Sequence, residues 1–113
     1  MKLLTQEIRK KLPALYAQED KGGKAVAYVK FFTPDSNWTW YVLCGEPVLD
    51  DAGLEADYHF FGLVHGFEKE LGYFSLNELE SVQGPLGLPI ERDLYWTPKT
   101  LEEIEPEMFK GGD

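Results

Sequence analysis

Lys30-Phe31-Phe32-Thr33-Pro34-Asp35-Ser36-Asn37-Trp38-Thr39-Trp40-Tyr41 decides the fold. Residues 25–32 (Ala-Val-Ala-Tyr-Val-Lys-Phe-Phe) and 38–44 (Trp-Thr-Trp-Tyr-Val-Leu-Cys) are rich in β-branched and aromatic residues and read as strands. Between them Pro34, Asp35, Ser36 and Asn37 are turn formers, so the stretch predicts a β-hairpin with five aromatic rings near one turn. At period two, Trp38, Trp40 and Val42 share one face while Thr39, Tyr41 and Leu43 share the other. Adjacent rings such as Phe31-Phe32 and Trp40-Tyr41 cannot point to the same side. The second face is therefore either covered or left open for binding.

Upstream of the hairpin, Thr5 is placed to cap a short helix in which Leu4, Ile8, Leu12 and Leu15 recur at helical spacing, and Pro13 ends or kinks it. Residues 18–24 read as a polar loop with a Gly22-Gly23 turn. Downstream, residues 45–57 read as a long acidic loop, with a hairpin turn at Asp50-Asp51-Ala52-Gly53 as an option within it. Strands are expected over 58–67 and 71–74, followed by a helix opened by Ser75 with Glu78 three residues on. Gly84-Pro85-Leu86-Gly87-Leu88-Pro89 cannot be helical, residues 90–96 suit an edge strand, and Thr97-Pro98 or Thr100 with Glu103 starts a last short helix before Pro106. The expected fold is α+β: an antiparallel sheet of about four strands with short helices packed on one face, forming a single domain over 1–113 with a loose tail at 110–113.

With 113 residues, 43% of them hydrophobic, the chain can bury a core without disulfides or metal. Cys44 is its only cysteine and no apolar run is long enough to span a bilayer. Met1-Lys2-Leu3-Leu4 runs into charges rather than a signal-peptide core, so the expected compartment is the cytoplasm, with no membrane partner. The net charge of −9 is uneven: residues 1–30 balance to +4, residues 46–57 to −5 and residues 101–113 to −4. A surface this acidic disfavours direct nucleic-acid binding. The same acidity serves ordinary solubility, or it lets the protein compete with a nucleic acid for a basic partner.

Candidate chemistry is sparse. His59 and His65 share a strand and a parity, but six residues of strand separate them by roughly 20 Å, too far to share one metal. Gly84 and Gly87 lack both the Lys-Ser/Thr of a phosphate loop and the three-glycine dinucleotide pattern. Paired acids are expected by chance among 20 carboxylates. A nucleophilic serine at Ser36 has no histidine placed beside it by the sequence. These readings predict a protein that is not an enzyme and uses no cofactor or metal. An enzymatic alternative would centre on Asp35, Asn37, His59 and Arg92.

The segments Lys30-to-Tyr41, Phe60-Phe61-Gly62-Leu63-Val64, Glu70-Leu71-Gly72-Tyr73-Phe74-Ser75-Leu76 and Gly84-Pro85-Leu86-Gly87-Leu88-Pro89-Ile90-Glu91-Arg92-Asp93-Leu94, with the opening Met1-Lys2-Leu3-Leu4-Thr5, resemble the bacterial domain of unknown function 2958 family over nearly the whole chain. The resemblance implies no catalytic residue. It implies a small accessory protein of plasmids and other mobile elements, in a setting of antirestriction or DNA-processing genes.

The functional expectation is thus a non-enzymatic interaction protein of a mobile element, an acidic inhibitor or modulator of a host nucleic-acid-acting protein. Its binding residues would be Phe32, Asp35, Ser36, Asn37, Trp38 and Trp40 of the hairpin, with Asp50, Asp51, Glu55 and Asp57 steering the approach and Arg92 nearby. The alternative is a single-stranded nucleic-acid-binding module that stacks bases on the same rings and uses Arg9, Lys10, Lys11 and Lys30.

Overall fold

The computed structural model describes residues 2–109, so the loose tail expected at 110–113 lies outside the described residues. Its elements run α1 (Gln6–Lys11), β1 (Val26–Ala27), β2 (Val29–Phe32), β3 (Thr39–Leu49), β4 (Glu55–His65), β5 (Lys69–Ser75), α2 (Leu76–Ser81), β6 (Glu91–Arg92), β7 (Lys99–Thr100) and α3 (Leu101–Ile104). The capping residues act as their sequence positions predict. Thr5 Oγ1 accepts the Ile8 amide at 3.2 Å, Ser75 Oγ accepts the Glu78 amide at 3.2 Å, and Thr100 with Glu103 forms a full capping box.

The fold is α+β, built on a five-stranded antiparallel sheet in the order β5-β4-β3-β2-β6. The fifth strand is β6, reduced from the expected 90–96 to two residues at the sheet edge. The expected strand over 25–32 divides. β2 joins the main sheet, whereas β1 turns away and pairs with β7, Val26 opposite Thr100.

Residues 45–57 are not one long loop, which corrects the sequence reading, while the hairpin turn offered at Asp50-Asp51-Ala52-Gly53 is present. Residues 45–49 continue β3 and residues 55–57 open β4, leaving only a tight turn between two strands of 11 residues each. The acidic composition concealed two strand ends because β2 borders β3 only as far as Val42. Beyond that point β3 is an edge, where charged residues and proline are tolerated. The Gly45 amide points outward and donates to the Pro13 carbonyl at 3.0 Å. Pro47, two residues on, therefore turns its nitrogen to the side that owes no bond to β4.

The alternation splits the buried side chains into two clusters. Val29, Phe31, Trp40, Val42, Phe60 and Phe74 line one face, covered by Leu3, Leu4, Leu12, Ile8 of α1 and Leu79 of α2. Leu43, Cys44, Phe61 and Leu63 line the other, covered by Ala25, Ala27, Leu101, Ile104 and Trp96. Helices lie on one face, as expected, for α1 and α2, while α3 covers the opposite one. A bulge between Val42 and Cys44 inserts Leu43 into β3. The carbonyl of Leu43 accepts the Gln18 amide nitrogen Nε2 at 2.6 Å. Gln18 also exchanges bonds with the Val26 backbone (2.9 and 2.8 Å), so this residue of the supposed polar loop is a buried staple holding β1 to β3.

Candidate interaction surface

Strand direction sorts the sequence-derived candidates into two groups. The β2–β3 turn and the β4–β5 turn meet at one end of the sheet, because Thr39 pairs with both Phe32 and His65. The β3–β4 turn lies at the other end. With β3 11 residues long, roughly 33 Å separate the aromatic hairpin tip from Asp50 and Asp51. The hairpin and the acidic residues do not form one site.

At the far end three of the four acids are engaged locally. Asp50 Oδ1 accepts the amides of Ala52 and Leu54, each at 2.9 Å, and so shapes the turn. Glu55 accepts both guanidinium nitrogens of Arg9, at 2.5 and 2.6 Å, which holds its carboxyl below the usual range and raises Arg9. Asp57 Oδ1 accepts the amides of Tyr58 (2.7 Å) and Asn77 (3.0 Å). Burial pushes the Asp57 carboxyl up, but those amides, the Ser75 hydroxyl and His59 outweigh it, and the net shift is downward. Asp51 alone is exposed without such a role. Arg92 donates to the carbonyls of Lys2 (2.6 Å) and Leu3 (3.2 Å), anchoring the N-terminal segment against β6.

At the near end, Trp40 is 7% exposed and part of the core, while Trp38 is half-buried and stacks on it, ring centres 6.0 Å apart. The rings of Phe67 and Trp38 meet in a T-shaped contact, centres 5.5 Å apart, and Phe67 is itself 95% exposed. Gly66 makes this possible, since a Cβ there would run into the Trp38 ring. Asp35 is not a free polar tip. Its Oδ2 accepts the amides of Leu86 (2.8 Å) and Leu88 (3.4 Å), clamping residues 84–89 onto the hairpin. Gly84 lies so close that a Cβ would strike the Asp35 carboxylate. Ser36 and Asn37 remain exposed.

Three clefts indent this end. One of about 280 Å³ lies between Trp38, Trp40, Val82 and Pro85. Another of about 620 Å³ opens beside Phe32, Asn37, Thr39 and His65. A third of about 310 Å³ runs from Phe32 to Leu94 and Tyr95, the latter 93% exposed. Phe32 is the wall shared by the second and third clefts. Lys30, which lines two of these clefts, faces Asp93 at 3.8 Å and sits over the rings of Trp96 (5.7 Å) and Tyr41 (6.0 Å). Among the described residues no cluster of His, Cys, Asp or Glu could hold a metal ion, and no helix is long and apolar enough to cross a membrane.

Sequence reasoning missed Phe67, Tyr95 and the docking of residues 84–89. Phe67 carried a signal: a large aromatic between Gly66 and the charged run Glu68-Lys69-Glu70 is poorly placed to be core. The partnership between Asp35 and Leu86 carried none, because 51 residues separate them. A family model described as "Protein of unknown function (DUF2958)" matches residues 3–103. No curated protein and no solved structure matches the chain.

Proposed function

The chain belongs to the DUF2958 family, and since that description assigns no activity, we propose from its surface that it is a non-catalytic protein-binding module. The binding epitope is the aromatic end of the sheet, centred on Phe67, Trp38 and Phe32. The observation that carries this reading is the full exposure of Phe67 in T-shaped contact with a tryptophan that stacks on the core. An uncovered aromatic ring buries a large apolar area on binding, which is a property of an interface anchor. The clefts on either side of the hairpin offer recesses for side chains of a partner.

We further propose that the partner is a host protein that acts on nucleic acid, in keeping with the net charge of −9 and a mobile-element role. Of the four cations assigned to a nucleic-acid reading, Arg9 is engaged with Glu55 and Lys30 with Asp93. That pairing supports a protein partner over a single strand of nucleic acid. The test is affinity capture from host lysate with the wild type, Phe67→Ser and the far-end variant Asp51→Asn. A protein retained by the wild type and Asp51→Asn but lost with Phe67→Ser supports the epitope. Tight binding of fluorescent single-stranded oligonucleotides at physiological salt would replace this reading with the nucleic-acid one.

A further inference from the structure

We propose that the cleft of about 280 Å³ between the hairpin and residues 82–85 takes an arginine side chain of the partner; this rests on the protein-binding role and names the chemistry recognised. Trp38, Trp40, Val82 and Pro85 give the cleft apolar walls, and Ser36 and Gln83 add polar groups to it. Both of these residues are exposed, and neither side chain is engaged in a hydrogen bond among the described residues. Arginine matches that combination. Its methylene stem covers apolar walls, while its planar guanidinium stacks on indole rings and donates to polar oxygens at the mouth.

Charge selects arginine over an apolar side chain. No residue lining this cleft is charged, whereas Lys30 lines both of the other clefts at this end and already supplies them with a cation. Gly84 forms part of the wall, and the Asp35 carboxylate lies directly against it, where a Cβ on Gly84 would strike Oδ1. Among the described residues, Oδ1 is buried without a hydrogen-bond partner and no cation pairs with this carboxylate. A negative charge without a counter-ion, separated from an uncharged cleft by a glycine alone, draws a cation into that cleft. The net charge of −9 adds attraction from further away. An apolar occupant would do the opposite: it would strip water from the neighbourhood of Asp35 and return no compensating charge.

NMR titration of the isotope-labelled wild type with N-acetylarginine amide, and with its neutral isostere N-acetylcitrulline amide, reads the proposal without a partner protein. The arginine probe is expected to shift the Trp38 indole N–H and the backbone amides of Ser36 and Gln83. The citrulline probe should bind at least about threefold more weakly, the scale of one exposed cation–ring contact. Ser36→Ala combined with Gln83→Ala changes two exposed positions; it should weaken the arginine probe at least about threefold, as expected for lost hydrogen bonds, and leave the unfolding midpoint in place. Equal affinity for the two probes overturns the assignment, as do shifts confined to the acidic β3–β4 turn or no shift at all. These readouts involve no captured protein, so their failure strikes the arginine assignment alone, while capture with Phe67→Ser judges the epitope separately.

Discussion

Asp35 Oδ2 accepts the Leu86 amide at 2.8 Å, and that one contact joins the hairpin tip to a loop 51 residues away in sequence. The second carboxylate oxygen, Oδ1, is buried without a hydrogen-bond partner among the described residues, directly where Gly84 lacks a side chain. The clamp is therefore charge-assisted on one oxygen and sterically fitted on the other.

Asp35→Ala removes the acceptor from two solvent-exposed loop amides and should cost about 0.5–1.5 kcal/mol in urea unfolding, the net range for a lost hydrogen bond. Gly84→Ala should cost at least as much, because its methyl must push Asp35 aside. Asp35→Asn, which keeps one acceptor oxygen, should fall between Asp35→Ala and the wild type. Equal stability of all four proteins would mean that the loop is held by other contacts.

The stacked tryptophans should separate by mutation. Trp40 lies in the core and Trp40→Ala is expected to cost about 3–5 kcal/mol or to prevent folding. Trp38 is half-buried and rests on Trp40, Gly66 and Phe67. Trp38→Ala should therefore cost clearly less, about 1–2 kcal/mol, while weakening partner capture. Chemical denaturation of the two variants side by side checks this; equal losses would make Trp38 scaffold.

Acid should destabilise the far end first. Glu55 and Asp57 both titrate below their ordinary values in the folded protein. Each therefore contributes stability that is present above its unfolded value, about 4, and is lost as pH falls through its lower folded value. Plotted against pH, the melting temperature of Glu55→Gln should fall less steeply over this acid limb than that of the wild type. Neutralising Asp50, Asp51, Glu55 and Asp57 together should lower the melting temperature at neutral pH, because three of them satisfy backbone amides or Arg9. Asp51→Asn alone should leave it unchanged.

The sequence made local features legible where they are decided within a few residues. Thr5, Ser75 and Thr100 cap helices because the amide each accepts lies three residues on. The hairpin at residues 33–37 was legible because Thr33 and its neighbours close their own bonds: Thr33 Oγ1 accepts the Trp38 amide at 3.1 Å. Residues 45–57 were misread because acidic composition and Pro47 mimic a loop when a strand has one neighbour instead of two. Of the residues named for the candidate surface, only some lie where the sequence reading set them. Phe32 and Trp38 were named from alternation, but Asp35 and Arg92 were named for chemistry and instead hold Leu86 and the Lys2–Leu3 carbonyls. Long-range pairings of that kind leave no periodicity to read.

Phe67 gives the sharpest test of the binding epitope. Its ring meets Trp38 in a T-shaped contact and is otherwise in water, so Phe67→Ser forfeits little folding free energy; denaturation should show a change of no more than about 0.5 kcal/mol. Loss of an anchor ring from an interface centre costs about 2 kcal/mol or more, which is a drop in affinity of roughly thirtyfold. The two measurements should therefore move independently, with partner dissociation speeding up while the unfolding midpoint stays in place. An unfolding midpoint shifted as far as that of Trp38→Ala would show that Phe67 braces the hairpin. Partner dissociation left unchanged would place the epitope elsewhere on the molecule.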